Sequence, residues 1–208
     1  PGDPGDPGDP GDPGNPVPED PPILIGDYDG DGVADQALYR HDPARRVGVF
    51  ALRLSNNGNP TERIVEITGV DSNVIPVAGD FDGDRKTDVA VVNPTALSPN
   101  ATVPDISVWI ILLSGSNNDR LEVAFGAAGV RDRPAPADFD GDGVTDIATF
   151  RPSSNLVPGA AQWFILPSKP NPGYQTRNGA FSVLFGAAGG VDLPVPFDFD
   201  GDGRADIA

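Results

Sequence analysis

The sequence predicts an all-β protein built from four-stranded, β-propeller-type blades, with three complete blades and the start of a fourth. The first observation is a nine-residue acidic loop that occurs four times, with aspartate at positions 1, 3, 5 and 9. The second is that short apolar segments without helical periodicity separate the loops. The third is the abundance of Gly (26) and Pro (24), which favours short strands joined by turns. Each repeat therefore holds about four antiparallel strands, the content of one propeller blade.

Residues 1–20 are predicted to form an extended tail ahead of the repeats. Through residue 16 they follow a strict triplet with glycine at every third position, which provides few donors for a sheet and no apolar side chains for a core. Polyproline II is the natural conformation of such a tract. The open alternatives are a flexible spacer, a segment that packs on a neighbouring subunit or carries glycan, and a collagen-like triple helix, for which about five triplets are few.

The repeat region spans residues 21–208. In all four units a proline precedes the acidic loop and an apolar run follows it. In the three complete units a third segment has a large aromatic residue five positions before a serine, and a fourth segment ends in glycine. The aromatic residues and serines are Phe50 and Ser55, Trp109 and Ser114, and Trp163 and Ser168. The units lie at about 21–70, 71–130, 131–190 and, in part, 191–208. Because the fourth unit stops after its loop, we expect other copies of the chain, or a further part of the same chain, to complete it.

Each acidic loop is predicted to wrap a cation. We number the loops 1 (27–35, DYDGDGVAD), 2 (80–88, DFDGDRKTD), 3 (138–146, DFDGDGVTD) and 4 (198–206, DFDGDGRAD). Four carboxylates in nine residues repel one another unless a cation neutralises them, and glycine permits the sharp turn of such a loop. An all-oxygen donor set suits calcium and disfavours zinc. The alternative, an acidic turn that binds nothing, favours one or two aspartates rather than four.

Two positions of the loops carry further expectations. In loop 2, Arg85 replaces the glycine of position 6, which costs about 1 kcal/mol if that position needs a positive φ. We therefore expect loop 2 to be the weakest site. The aromatic residues at position 2 are expected to point away from the ion into the core of the blade; they are Tyr28, Phe81, Phe139 and Phe199.

The formal net charge of -17 argues against nucleic acid or an anionic membrane surface as partner. No apolar run approaches the length of a membrane span. The chain has no cysteine, which fits a secreted bacterial protein stabilised by calcium but is equally explained by the general rarity of this residue.

One set of motifs resembles a known family. The motif DFDGDGxxDIAxFRP at 138–152, followed by QWFIL at 162–166 and FGAAG at 185–189, resembles the FG-GAP/VCBS repeat of bacterial extracellular proteins, a repeat type that also builds the integrin alpha-subunit propeller. The resemblance covers about residues 22–208. It implies a β-propeller with a calcium ion in each loop, up to four ions in all, and an extracellular location.

Carried onto this chain, the resemblance implies carboxylate ligands at positions 1, 3, 5 and 9 of each loop and a backbone carbonyl ligand at position 7. These residues are Asp27, Asp29, Asp31, Val33 and Asp35; Asp80, Asp82, Asp84, Lys86 and Asp88; Asp138, Asp140, Asp142, Val144 and Asp146; and Asp198, Asp200, Asp202, Arg204 and Asp206.

We expect a secreted, calcium-stabilised repeat protein with a structural or adhesive role, and the incomplete fourth unit and the triplet tail favour a subunit of an extracellular fibre or assembly. Its expected partners are copies of itself, a cell-surface protein or a glycan. The alternatives are a propeller that binds carbohydrate or protein, and a non-catalytic module of a larger secreted enzyme.

We expect no enzymatic activity. The chain has no GxSxG, P-loop or HExxH motif, and its single histidine, His41, is predicted to lie in a loop. Trp109 and Trp163 occupy equivalent positions in successive units, which favours a core role over a sugar-stacking platform. The NAT sequence at 100–102 fits the glycan acceptor pattern, although such short matches arise by chance.

Overall fold

The structure is a computed structural model, and it describes residues 26–94, 106–127, 132–154, 156–168, 174 and 179–208. The predicted tail at 1–20 and the acceptor pattern at 100–102 lie outside the described residues. The described residues confirm the all-β prediction, because they form three antiparallel sheets. The named helical elements among them are two three-residue 3₁₀ turns, Asn56–Gly58 and Ser114–Ser116. In this part of the chain no helix has the length and apolar character needed to cross a membrane.

Each sheet is a meander of strands that are consecutive in the chain. The first sheet contains β1 (Gln36–Asp42), β2 (Val47–Leu54) and β3 (Thr61–Thr68). The second contains β4 (Ile75–Gly79), β5 (Asp88–Asn93), β6 (Ile106–Leu113) and β7 (Asp119–Ala127). The third contains β8 (Arg133–Pro134), β9 (Ile147–Arg151), β10 (Ala160–Leu166) and β11 (Phe181–Ala187).

The same register recurs in the three sheets at the large aromatic residues. Phe50 pairs with Val65, Trp109 with Val123, and Trp163 with Val183. Because side chains alternate between the two faces of a strand, this register places each aromatic residue and its valine on one face, which we call the front face of the sheet. All three aromatic residues are buried, so the prediction that Trp109 and Trp163 belong to the core is confirmed.

The sheets stack face to face in chain order, front face on back face. One core cluster joins front-face residues of the first sheet, such as Phe50, to Val91 and Ile110 of the second. The next cluster joins Trp109 of the second sheet to Ile147 of the third. Burial of these aliphatic and aromatic side chains is the main stabilising contribution to such a stack.

The front face of the third sheet carries a third core cluster and is only partly covered. Phe150 and Trp163 are buried there, and Phe139 and Ile207 pack against them. Phe185, however, is 54% exposed. Its counterpart in the second sheet, Phe125, is buried by the third sheet.

Two predictions from the sequence are wrong. His41 lies inside β1 and not in a loop, because β1 continues through Asp42, which pairs with Val47 across a tight hairpin. Phe199 is 65% exposed and not in a core, because no described strand covers it. The other aromatic residues at position 2 follow the expectation: Tyr28 and Phe81 are buried, and Phe139 is half-buried beside Trp163.

Candidate metal centre

The four acidic loops occupy equivalent places in the fold. Loop 2 joins β4 to β5, and loop 3 joins β8 to β9. A backbone hydrogen bond closes loop 1 from the Asp35 N–H to the Gly26 carbonyl, and the Asp146 N–H closes loop 3 in the same way with Ala137. Antiparallel pairing beside position 9 therefore brings the two ends of each loop together.

In every loop three carboxylates converge. The side chains at positions 1, 3 and 9 each offer an oxygen, and the three oxygens lie within 4.8 Å of one another. These triads are Asp27, Asp29 and Asp35; Asp80, Asp82 and Asp88; Asp138, Asp140 and Asp146; and Asp198, Asp200 and Asp206. The fourth predicted carboxylate, at position 5, is not a member of the triads. Three of the four predicted side chains are thus brought together in each loop.

Backbone N–H groups hold the position 1 carboxylate. In loop 3, Asp138 Oδ1 accepts from the N–H groups of Gly141 (2.7 Å) and Asp142 (3.2 Å), and its Oδ2 accepts from Gly143 (2.8 Å). The other three loops repeat this pattern. The carboxylate at position 9 accepts from the N–H of position 2, as in the 2.9 Å bond from Phe139 to Asp146. Aspartate at these two positions therefore shapes the loop as well as facing its centre.

Position 6 adopts a positive φ in all four loops. Gly32, Gly143 and Gly203 have φ between 82° and 85°, and Arg85 has φ of 67°. The expected left-handed conformation at Arg85 is confirmed, and with it the backbone cost of a side chain there. That loop 2 binds its cation most weakly stays a prediction.

Burial of position 9 in loops 2 and 3 perturbs the ionisation of its carboxylate. Asp88 and Asp146 are fully buried, and burial raises the pKa of each from 3.8 to about 7. Neighbouring carboxylates add to this, Asp82 for Asp88 and Asp140 for Asp146. Burial likewise raises the pKa of Asp80 and Asp82. Burial and neighbouring carboxylates thus both disfavour negative charge in these triads, and a hard divalent cation with oxygen ligands fits their chemistry.

Successive loops are bonded to one another. The Thr145 N–H in loop 3 donates to the Asp80 carbonyl of loop 2 (2.6 Å), and the Asp80 N–H donates back to the Thr145 hydroxyl (2.9 Å). The N–H of Thr87 donates to the Asp27 carbonyl (2.7 Å), and that of Ala205 donates to the Asp138 carbonyl (2.6 Å). The loops therefore form a continuous row along one edge of the stack.

The residues at position 7 also pack between loops. A Cβ atom built at Gly30, Gly83 or Gly141 would lie 3.0, 3.0 and 2.9 Å from a side-chain carbon of Lys86, Val144 or Arg204 in the next loop. Position 4 of loops 1 to 3 therefore needs glycine for close approach as well as for its positive φ. That the carbonyls of position 7 bind the cation stays a prediction.

Sequence reasoning treated the serines after the third segment as repeat markers and missed their contacts with the loops. Ser55, Ser114 and Ser168 each contact the acidic loop of their own sheet. Their regular spacing was the only signal in the sequence that pointed to them.

The comparisons with known proteins agree with this geometry. No curated protein matches the chain. Residues 80–149 match the family model described as FG-GAP-like repeat. The matched segment begins at the first aspartate of loop 2, contains β5 to β8 and loop 3, and ends within β9. The part of the chain that holds loops 2 and 3 is therefore similar to an FG-GAP-like repeat.

Proposed function

We propose that this chain is a secreted β-propeller-type module whose acidic loops bind calcium, and that its role is structural or adhesive and not catalytic. The observation that carries the proposal is the convergence of three carboxylates at the same place in four successive loops. A single acidic turn is common on protein surfaces, whereas a fourfold repeat of the same triad within bonded loops is the arrangement of a repeated cation site.

The position of the loops supports a stabilising role for the ion. The cations of loops 2 and 3 would each tie together the first two strands of their sheet, and the bonds between loops, such as Thr145 to Asp80, would carry that restraint to the next sheet. Other features favour this role over the alternatives. His41 Nε2 lies 3.1 Å from the Val70 carbonyl in a structural contact, and Trp109 and Trp163 are buried, so neither indole can serve as a sugar-stacking platform.

Thermal unfolding in the presence and absence of calcium tests the proposal. We expect the melting temperature to rise with calcium, because an ion bound only by the folded state stabilises it by about 2.7 kcal/mol per site when its free concentration is roughly one hundred times Kd. Magnesium at equal concentration should stabilise less, because it demands a tighter octahedron.

The matched variants are Asp138→Asn, which removes a triad carboxylate charge, and Asp119→Asn, which removes an exposed charge from β7 outside the loops. The first should reduce the calcium response and the second should leave it unchanged. Identical melting curves with millimolar calcium and with chelator would contradict the proposed function.

The assembly part of the proposal is supported by the apolar front face of the third sheet. Phe185 is half exposed there, and Phe197 and Phe199 are 65% exposed, with ring centroids 5.5 Å apart. Contiguous exposed aromatic surface is typical of a protein interface. We propose that a further β-sheet, from another copy or from more of the same chain, covers it.

Sedimentation velocity tests self-association. We expect the calcium-loaded protein to associate as its concentration rises, and the double variant Phe197→Ser/Phe199→Ser to stay monomeric because it loses apolar area at the interface. Leu156→Ser is the control, since Leu156 is 70% exposed in the connection between β9 and β10 and lies outside the strands of either face. A monomer at every concentration in calcium would exclude association between copies.

A further inference from the structure

We propose that Ser55, Ser114 and Ser168 are positioning residues of the metal loops, which hold the carboxylates of positions 5 and 9 in place for the cation. This inference rests on the proposed calcium function and names the residues outside the acidic motif that serve it.

The strand register within each sheet places the serine beside the acidic loop of that sheet. In the second sheet Val89, the residue after position 9, pairs with Leu112, so Ser114 lies one residue beyond the strand position opposite Asp88. The pairs Gln36 with Arg53 and Ile147 with Leu166 place Ser55 and Ser168 at the same offset from Asp35 and Asp146. The end of the third segment is thus the part of each sheet that returns to the acidic loop.

The backbone of each serine fixes position 9. The N–H of Ser55 donates to Asp35 Oδ1 at 2.6 Å. The corresponding bonds from Ser114 to Asp88 and from Ser168 to Asp146 are 2.6 and 2.7 Å. Since Oδ2 of position 9 already accepts the N–H of position 2, both carboxylate oxygens are held and the plane of the carboxylate is set.

The hydroxyl of each serine fixes position 5. Ser55 Oγ donates to Asp31 Oδ2 at 2.7 Å, and Ser168 Oγ donates to Asp142 Oδ2 at 2.8 Å. Ser114 Oγ lies 3.1 Å from both oxygens of Asp84. The opposite oxygen, Oδ1, accepts the N–H of position 7 in the same loops, at 2.8 to 2.9 Å.

The serine contact supplies what the acidic motif lacks. Position 5 is outside the carboxylate triad of its loop, and the N–H of position 7 holds its Oδ1. The serine hydroxyl adds a bond to the second oxygen, Oδ2, which in loop 1 also accepts the N–H of Asn57 (2.5 Å). A neutral hydroxyl can restrain this carboxylate without adding a positive charge that would compete with the ion. Outer partners of this kind orient metal ligands, and their loss typically lowers metal affinity by about 10- to 100-fold.

The test compares calcium affinity and calcium-free stability in the full chain. The variant Ser55→Ala/Ser114→Ala/Ser168→Ala removes the three hydroxyls and keeps the backbone N–H bonds, and Ser114→Ala and Ser168→Ala are made singly in case the triple variant fails to fold. Replacement of the same serines by threonine restores a hydroxyl. Ser116→Ala, an exposed serine in the turn that follows Ser114, is the control.

We expect the triple alanine variant to bind calcium about tenfold or more weakly in a competition assay with a chelating dye. The threonine variants should bind more tightly than the alanine variants, and Ser116→Ala should match the parent protein. A purely structural role would lower the melting temperature equally with and without calcium and leave the affinity unchanged, and that result would overturn the inference while the proposed function stands. A parent protein that does not bind calcium would overturn the proposed function and this inference with it.

Discussion

We expect the cation-free protein to lose stability as the pH rises from about 4 to about 7, whereas the stabilisation that calcium provides should grow over the same interval. The groups responsible are Asp88 and Asp146, the buried carboxylates at position 9 of loops 2 and 3. Burial raises the pKa of both to about 7 in the folded protein, against 3.8 for an unperturbed aspartate.

The sign follows from proton binding. Between the two pKa values the folded chain keeps its protons on Asp88 and Asp146 while the unfolded chain has released them, so the folded state binds more protons. Stability from these groups is therefore fully present below the unfolded pKa and is lost as the pH rises through the folded value near 7. Glu66 acts in the opposite direction, because the Arg45 guanidinium lowers the pKa of Glu66, but that pair is on the surface and its effect is small.

Calcium changes the direction because it competes with the proton for the same carboxylate. Below a pH of about 7, calcium must displace a proton from the position 9 carboxylate in order to bind. The calcium affinity of the loop should therefore fall by up to about tenfold for each pH unit of acidification and for each proton displaced. Urea unfolding at a series of pH values, with decalcified protein and with added calcium, measures both trends. Asp88→Asn/Asp146→Asn should flatten the cation-free profile. A cation-free stability that rises from about pH 4 to about pH 7 would contradict the assignment.

The repeat and its strands were predictable because both depend on local patterns. The aromatic residue five positions before a serine locates β6 and β10, and the carboxylate spacing at positions 1, 3 and 9 brings three oxygens together within a nine-residue loop. The exposure of the Phe199 side chain to solvent was not predictable in this way. A residue at position 2 is buried by a neighbouring sheet, and the local motif is the same whether or not a sheet lies there.

Contacts between segments that are distant in the chain also could not be predicted from the sequence. Thr145 occupies position 8 of loop 3, which varies between alanine and threonine among the four loops. Its hydroxyl and N–H nevertheless join loop 3 to Asp80 of loop 2, 65 residues earlier. Asp132 belongs to no motif, and although Arg151 lies in the motif at 138–152, that motif does not indicate a partner 19 residues earlier. The first contact depends on how the sheets stack and the second on the register of β8 with β9, and alternation along a strand specifies neither.

The second large effect on stability is expected at the ion pair of Asp132 and Arg151. We expect Arg151→Ala to destabilise the protein by about 3–5 kcal/mol, because removal of one partner leaves the other charge buried and uncompensated. The guanidinium makes two bonds of 2.8 Å to Asp132, whose side chain is 3% exposed, and it lies 4.4 Å from the centre of the Phe164 ring. Asp132 Oδ2 also accepts the N–H of Ala127, so the pair anchors the end of β7 to β9.

The surface pair of Arg45 and Glu66 is the matched control, because it is also bidentate, with bonds of 2.9 and 2.6 Å. Its side chains are 56% and 35% exposed, so Arg45→Ala should cost no more than about 1 kcal/mol. The variant Asp132→Leu/Arg151→Met separates burial from ion pairing, since it removes both charges and keeps apolar volume. If the cost of Arg151→Ala arises from an orphaned buried carboxylate, this double variant should be more stable than either single one in chemical denaturation. Equal costs for Arg45→Ala and Arg151→Ala would mean that solvent screens both pairs alike, and that the junction between β7 and β9 is held by its apolar contacts alone.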